Sequence, residues 1–420
     1  MTDKLAIDGG TPVRGDKRLP MGRGLAVFGD EEKAAVIEVL ESRSLFRYYG
    51  PHLLKKVEAF ETRLKETLDV PYAVGVSSGT AALKAGLAAL GIGCGDEVIV
   101  PSFTFIATVN AVIAAGAVPI FCEVDGSLGA DPNDVEAKIT PRTAAVMPVH
   151  LENQACDMDA LNTVARGRGI AVIEDACQAI GASYKGKALG TLGDCGAFSL
   201  QLEKNITSGE GGALVTRDEN LYVRAARYTD QGGQFVTSYG TSRGHELDEP
   251  FAGENLRMTE IAGAIADEQL KKLPSIIESF RSNKRKILEG VGTIDGLELR
   301  ESHDTDGDGA SSITWFAPSK ELALKFAAAL RAEGIPSAQM YNGEPVYLTP
   351  SIVAKRTATG KGGPWNCAEH PTDVTYGEGL CPRTEELVAR SFVVGNGARY
   401  TPADCEDIAT AVRKVAAALL

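Results

Sequence analysis

Several side chains in this sequence have the types and spacing to act on one ligand. Lys204 sits in FSLQLEKNITSGEGGAL (residues 198–214), the single lysine between an apolar run and a glycine-rich turn. Asp175 closes the apolar run IAVIED, where a carboxylate is costly unless something positive meets it. Gln178 follows about one helical turn later, and Ser199 comes from the next apolar run. Gly79, Thr80 and Ala81 open a helical pattern, and the free N–H groups of a helix start make an anion site. An amine, a buried acid, an amide and an anion cradle on one rim suit a phosphorylated pyridine aldehyde, pyridoxal 5′-phosphate. An acid beside the pyridine nitrogen keeps it protonated, so that the ring can draw electrons from a bonded substrate. A lysine whose pKa is lowered by burial serves as nucleophilic amine and then as proton shuttle. The SGEGG stretch lets the chain turn tightly beside such a ligand.

Residues at strand ends meet on one rim only if their strands run the same way. Between residues 74 and 215, β-branched apolar runs alternate with helical patterns. Runs at 74–76, 97–101, 118–124, 144–150, 170–175, 196–202 and 212–216 predict strands; patterns at 81–93, 105–116, 132–139 and 158–169 predict helices. The runs are continuously apolar, which predicts an α/β fold with a parallel sheet covered on both faces. Ligands of such sheets lie outside the carboxyl ends of the strands. A helix at 260–273 and the segment FRSNKRKILEGV lead out of this domain. The later stretches ITWFAPS, ELALKFAAALRAEG and PADCEDIATAVRKVAAALL predict a second, smaller α/β unit. The expected division is 1–280, an N-terminal arm with the large ligand-binding domain, and 281–420, the small domain. DTDGDG (304–309) has the spacing of half a calcium loop. The bidentate acid of that loop would fall at Trp315, so a solvated turn is expected and no metal.

Composition narrows the class. A chain of 420 residues with net charge −13 lacks the basic footprint of a nucleic-acid binder. The basic clusters at 271–272 and 281–285 read as solvated helix faces. The first residues contain no apolar signal core, and no run approaches the roughly 20 apolar residues of a membrane span. A cytoplasmic protein without a membrane partner is expected. The eight cysteines are scattered without a CxxC pair, which reads as reduced, mostly buried thiols.

The motifs SSGTAAL (77–83), PSFTFIATVNAV (101–112), PVHL (148–151), EDACQAIGA (174–182), FSLQLEKNITSGEGGAL and GENLRMTEIAGAI (253–265) occur in this order. In them the sequence resembles the DegT/DnrJ/EryC1/StrS family of sugar and cyclitol aminotransferases, within fold type I of the pyridoxal-phosphate enzymes. The resemblance covers most of residues 70–275. It implies a large domain with a mostly parallel seven-stranded sheet and a small C-terminal α/β domain. It implies that Lys204 forms the Schiff base, Asp175 pairs with the pyridinium nitrogen and Gln178 contacts the ring's phenolic oxygen. Ser199 and the Gly79–Thr80–Ala81 segment would hold the phosphate, and Phe105 would stack on the ring. Asn255 would reach the phosphate site of a partner subunit, making the unit a homodimer with shared sites. Glutamine or glutamate would be the amino donor and a keto-sugar or ketocyclitol the acceptor, in secondary-metabolite or antibiotic biosynthesis. The cofactor would pass through its pyridoxamine 5′-phosphate form.

Some positions depart from the family pattern. A glycine often follows PVHL there, whereas this chain has Glu152 and Asn153; Glu203 before Lys204 is also unusual. Glu203 either faces the site and alters substrate choice, or is a solvated strand residue. His150 either contacts substrate or caps its strand. Arg47 and Tyr49 in SLFRYYGP either line the acceptor pocket or pack in a core or dimer interface. Two other readings stand beside transamination. Dehydration or aromatising chemistry on the same scaffold is one, although dehydratase relatives carry histidine in place of the lysine. A cofactor-free regulatory relative is the other, and it would be expected to lose Asp175 or Lys204.

Overall fold

The computed structural model describes residues 4–15, 17–20, 22–233, 251–360, 363–368 and 372–420. Its large domain is built on seven strands: β1 (Tyr72–Val76), β2 (Glu97–Pro101), β3 (Val118–Cys122), β4 (Thr143–Val146), β5 (Ala171–Asp175), β6 (Cys195–Ser199) and β7 (Gly212–Thr216). Their spatial order is β1-β7-β6-β5-β4-β2-β3. All neighbours are parallel except β7, which runs antiparallel to both β1 and β6. Reversing β7 puts its first residue, Gly212, between Val76 and Ser199, the last residues of its two neighbours. The turn that carries Lys204 therefore opens on the carboxyl rim of the parallel strands.

Successive strand residues face opposite layers. Ile99, Val146, Val172 and Phe198 join one buried cluster, with Phe60, Leu64, Leu270 and Phe280. Val98, Val100, Ala145, Ile173 and Ala197 join the other, with Leu83, Leu87, Val109 and Val112. Continuous apolar runs are what two covered faces require. The covering helices are α1 (Asp30–Ser42), α2 (Lys56–Leu68), α3 (Gly79–Ala89), α4 (Ile106–Ala115), α5 (Pro132–Lys138), α6 (Met158–Arg166) and α7 (Glu219–Tyr228). Helix α4 stops where Gly116 adopts φ 90°, the left-handed conformation that ends a helix without a Cβ penalty.

Helix α8 runs unbroken from Glu260 to Val291, joining the two segments expected on either side of Pro274. Pro274 is exposed, so the carbonyl left without an N–H partner one turn earlier can turn to water. This helix packs on α1 and α2 and then on the small domain. That domain is a four-stranded antiparallel sheet, β8 (Glu298–Leu299), β9 (Ser312–Phe316), β10 (Ser337–Ala338) and β11 (Ser391–Gly395), in the order β8-β9-β11-β10. Helices α9 (Lys320–Ala332), α10 (Pro382–Ala389) and α11 (Pro402–Leu419) complete it. The chain between β10 and α10 returns to the large domain, where Val346, Tyr347, Trp365 and Tyr376 join the cluster around β2 and β3.

One expectation is corrected here. Cys94 and Cys367 form a disulfide across 273 residues of sequence, so the reading of all cysteines as reduced thiols is corrected. Cys94 lies between α3 and β2, and Cys367 lies on the returning segment, a proximity that no local spacing announces. The other six cysteines are free. In the loop at 304–309, Asp308 is taken by Lys284 and Gln154 and Asp304 by the Lys185 amide. No cluster fit for a metal occurs among the described residues.

Candidate active site

The anion cradle forms where β1 turns into α3. Ser78 is the N-cap, its Oγ accepting from the Ala81 amide at 3.1 Å. The amides of Gly79 and Thr80 have no intrahelical carbonyl to bond and point out of the helix start. Gly79 has no room for a side chain, because a Cβ would lie 2.7 Å from Cys177 Sγ and 2.8 Å from Ser199 Cβ. Gly212 is as constrained, with Ser78 O at 2.5 Å and Phe198 O at 2.6 Å from its notional Cβ. Within SGEGG, only Gly209 adopts the left-handed turn conformation (φ 83°). Gly212 is needed for close strand approach instead.

Asp175 ends β5 almost fully buried. Its Oδ2 accepts from the Thr108 hydroxyl at 2.7 Å and its Oδ1 from the Cys177 amide at 3.1 Å. Thr108 in turn lies 2.9 Å from the Thr104 hydroxyl. Burial and the Asp175 carboxylate push the neighbouring Cys177 thiol up, which keeps it neutral. Gln178 Oε1 accepts from the Glu152 amide at 3.1 Å, and its Nε2 donates to Tyr341 Oη at 3.2 Å. Burial pushes the Tyr341 phenol up, so it too stays protonated.

Lys204 is half-buried, and its ammonium has no hydrogen-bond or ion-pair partner among the described residues. The N-terminal arm crosses it: Gly24 N donates to Lys204 O at 3.0 Å, and Arg23 Nη1 to Glu203 O at 3.2 Å. Arg23 Nη2 also pairs with the Glu152 carboxylate. Burial alone would raise the Glu152 carboxyl, but Arg23 and then Lys204 hold it below the usual range.

These groups line one cavity of about 750 Å³, together with Phe105, Ser311 and Tyr400. The donor set fits pyridoxal phosphate. A cradle of amides with Ser199 beside it suits a phosphate, a fixed buried carboxylate suits a pyridinium nitrogen, and a lysine without a partner among the described residues suits an aldehyde.

A profile of the DegT/DnrJ/EryC1/StrS aminotransferase family matches residues 27–372. The chain belongs to this family. It is 41% identical over 255 residues to the GDP-perosamine synthase of Vibrio cholerae, spanning 60% of this chain and 66% of that one. It is 35% identical over 398 residues to the L-glutamine:2-deoxy-scyllo-inosose aminotransferase of Streptomyces fradiae, spanning 91% of each. The solved structure of S. venezuelae DesV with a ketimine intermediate matches with TM-score 0.79 and 31% identity, over 97% of this chain and 99% of DesV. The match thus covers just under two thirds of the Vibrio relative and nine tenths of the Streptomyces one. The architecture is fold type I of the pyridoxal-phosphate enzymes, and family and fold together support such an enzyme.

Of the residues expected at a DegT/DnrJ/EryC1/StrS site, Gly79, Thr80, Phe105, Asp175, Gln178, Ser199 and Lys204 line this cavity. Ala81 is the residue whose amide Ser78 caps, one step inside the helix. His150 is elsewhere: fully buried, it lies 2.8 Å from Glu174 through Nε2, while Nδ1 accepts from the Cys156 amide. Glu174 also accepts from the amides of Gly190, Leu192 and Gly193, so the pair fastens strand ends beneath the site. Arg47 is buried against Glu61, Gly75 O and the Tyr48 ring and is not among the residues lining this cavity. Tyr49 is exposed and packs on Phe46, also away from the cavity. Asn255 is exposed, bridged to Asp230, and outside its own chain's cavity. Glu203 is exposed at the mouth.

The sequence reading missed Arg23, Thr108, Ser311, Tyr341 and Tyr400. Thr108 stands inside PSFTFIATVNAV, in the first turn of α4, where a hydroxyl at a helix start beyond a strand end is the available signal. Where the family often has a glycine after PVHL, the backbone here is left-handed at Glu152 (φ 50°) and Asn153 (φ 67°). A glycine favours that conformation, and asparagine tolerates it better than most residues. Asn153 is further held by Asn205 and Ser311, at 2.6 Å each.

Proposed function

We propose that this chain is a pyridoxal-phosphate-dependent aminotransferase that moves an amino group from glutamine or glutamate to a keto-sugar or ketocyclitol. The observation that carries the reading is the Lys204 ammonium, unpartnered among the described residues, in a cavity shared with the fixed Asp175 carboxylate and the α3 helix start. Near full-length similarity to a relative named for glutamine and a deoxy-inosose favours a ketocyclitol over a nucleotide sugar as acceptor. We place the reaction in secondary-metabolite biosynthesis in the cytoplasm, carried out by a homodimer.

Bound pyridoxal phosphate supplies an aldehyde that carries the amino group and a ring that takes up electron density. The chain's own groups do the rest. The amides of Gly79 and Thr80, with Ser199, hold the phosphate. Thr108 and the Cys177 amide hold and aim the Asp175 carboxylate, which would meet the ring nitrogen. Gln178, oriented by Tyr341 and the Glu152 amide, meets the phenolic oxygen. Lys204 Nζ takes a proton from the carbon bearing the donor's nitrogen. In the second half-reaction it delivers one to the former carbonyl carbon of the acceptor.

The test is to add single amino acids to the yellow holoprotein and follow the aldehyde absorbance. Glutamine or glutamate should convert it to the amine form, and a ketocyclitol or keto-sugar should restore it. Lys204→Ala should end turnover, remove the borohydride-reducible link to protein, and leave part of the cofactor binding. Elimination without formation of the amine form, or near wild-type turnover by Lys204→Ala, overturns the reading.

A further inference from the structure

An aminotransferase cavity takes two unlike substrates in turn. On the reading above, the donor brings a carboxylate, and the acceptor brings hydroxyls and no charge. A bare guanidinium would suit the first and be left unpaired by the second. A bare carboxylate would have the reverse fault, and an unpaired charge in a partly desolvated site is costly.

The charged groups lining the cavity are Arg23, Lys204, Asp175, Glu152, Glu203 and Glu210. Lys204 and Asp175 are assigned to the cofactor, and Glu203 and Glu210 are exposed at the mouth. Arg23 and Glu152 remain, and they are bonded to each other. Both side chains keep some accessibility, 18% and 16%, so a substrate can reach them.

Their backbones are fixed more firmly than their tips. Gly24, next to Arg23, is buried, with Asn205 O and Ile206 Cα each 2.8 Å from where a Cβ would stand. Its amide bonds Lys204 O, which ties the origin of the Arg23 side chain to the catalytic turn. Glu152 is held at φ 50°, ψ 43°, a conformation that non-glycine residues adopt where the surroundings compel it. Its amide bonds Gln178, and its carboxylate lies 3.5 Å from Ser311 Oγ, a second partner should Arg23 turn away. A guanidinium can hold a carboxylate through two parallel N–H bonds, so a donor carboxylate can compete with Glu152 for it.

We propose that Arg23 and Glu152 form an exchangeable pair that lets one cavity serve both substrates. Resting, they neutralise each other. In the donor half-reaction Arg23 binds the amino acid's carboxylate. In the acceptor half-reaction Arg23 returns to Glu152, whose carboxylate oxygens accept hydroxyl protons of the polyol. This assignment rests on the aminotransferase reading, and its test separates the two.

Glutarate, a dicarboxylate with no amine to transfer, is titrated calorimetrically into holoenzyme, so binding is read without turnover. Arg23→Gln should weaken glutarate at least tenfold, Arg23→Lys should recover part of that loss, and Glu152→Gln should bind glutarate as well as wild type or several-fold tighter. A purely structural pair predicts that Arg23→Gln and Glu152→Gln weaken binding together. That outcome, or unchanged binding by Arg23→Gln, overturns the proposal. In the separated half-reactions, Arg23→Gln should raise the donor KM and Glu152→Gln the acceptor KM, each by about tenfold or more. If wild type converts no amino acid while glutarate still depends on Arg23, the transfer reading fails and the carboxylate site stands. Melting temperature and cofactor absorbance of each variant report folding, and Arg23→Lys keeps the test decisive where Arg23→Gln folds poorly.

Discussion

The Thr108 hydroxyl donates to Asp175 Oδ2 at 2.7 Å, from the first turn of helix α4 to the last residue of strand β5. Thr108 accepts in turn from Thr104, so its own proton is directed to the carboxylate. Removing a donor from a buried carboxylate costs about 1.5–3 kcal/mol. Thr108→Val, nearly isosteric, should lower stability by about that amount and slow the proton-transfer step while leaving the cofactor bound. Asp175→Asn keeps the shape and removes the charge, and should cost roughly two to four powers of ten in turnover. Single-turnover kinetics of both variants check the order. Thr108→Val as severe as Asp175→Asn would show that the carboxylate's aim, not its charge, governs the step.

What the sequence made legible follows from how the sheet works. Asp175, Ser199 and Ser78–Thr80 end strands or start helices, and a parallel sheet brings such ends together without further information. Arg23, Ser311, Tyr341 and Tyr400 come from the arm and the small domain, where only long-range packing decides which residue meets the rim. Asn342-Gly343 signals a turn with positive φ, and Tyr341 shares that conformation, but the signal does not say that the Tyr341 ring meets the rim. The helix expected over 260–273 continues through Pro274 to Val291, because an exposed proline inside a long, well-packed helix is carried by tertiary contacts.

His303 and Asp125 join the two domains, with Nε2 2.9 Å from Oδ2. The hydrogen bond to Asp125 raises the His303 pKa, burial opposing. A histidine raised above its unfolded value, near 6.5, contributes stability fully present below that pH. The contribution is lost as pH rises through the folded value. Wild type should therefore lose on the order of 1 kcal/mol more than His303→Gln between pH 6 and pH 9, both side chains being partly exposed. Denaturant midpoints at the two pH values measure this. Equal losses would show the pair to be uncoupled from folding.

The Cys94–Cys367 bond fastens the segment returning from the small domain. The same segment is held by Trp365 Nε1 donating to Tyr376 Oη at 3.0 Å, and by Tyr376 Oη donating to Pro119 O at 2.9 Å. Closing so long a loop typically stabilises by about 2–4 kcal/mol. Cys94→Ser should show that loss in non-reducing buffer, and dithiothreitol should bring wild type down to the variant without changing the variant. Wild type insensitive to reductant would mean that the two thiols are not joined in solution.

Asn255 supplies the test of subunit sharing. It lies ahead of helix α8, exposed, paired through its backbone with Asp230 and absent from the cavity of its own chain. If its amide acts on cofactor phosphate, it must do so in another copy, and a two-fold dimer makes that exchange mutual. Asn255→Ala alone should then weaken cofactor binding, although the residue is remote from its own Lys204 pocket. Mixed with Lys204→Ala chains, it forms heterodimers in which one site carries both defects and the other carries neither. Each heterodimer should recover about half of wild-type activity. An equimolar, randomly exchanged mixture, half heterodimer, should reach about a quarter. Both parents should stay well below that level. Native mass spectrometry confirms the exchange, and an absence of recovery in confirmed heterodimers would remove Asn255 from any shared site.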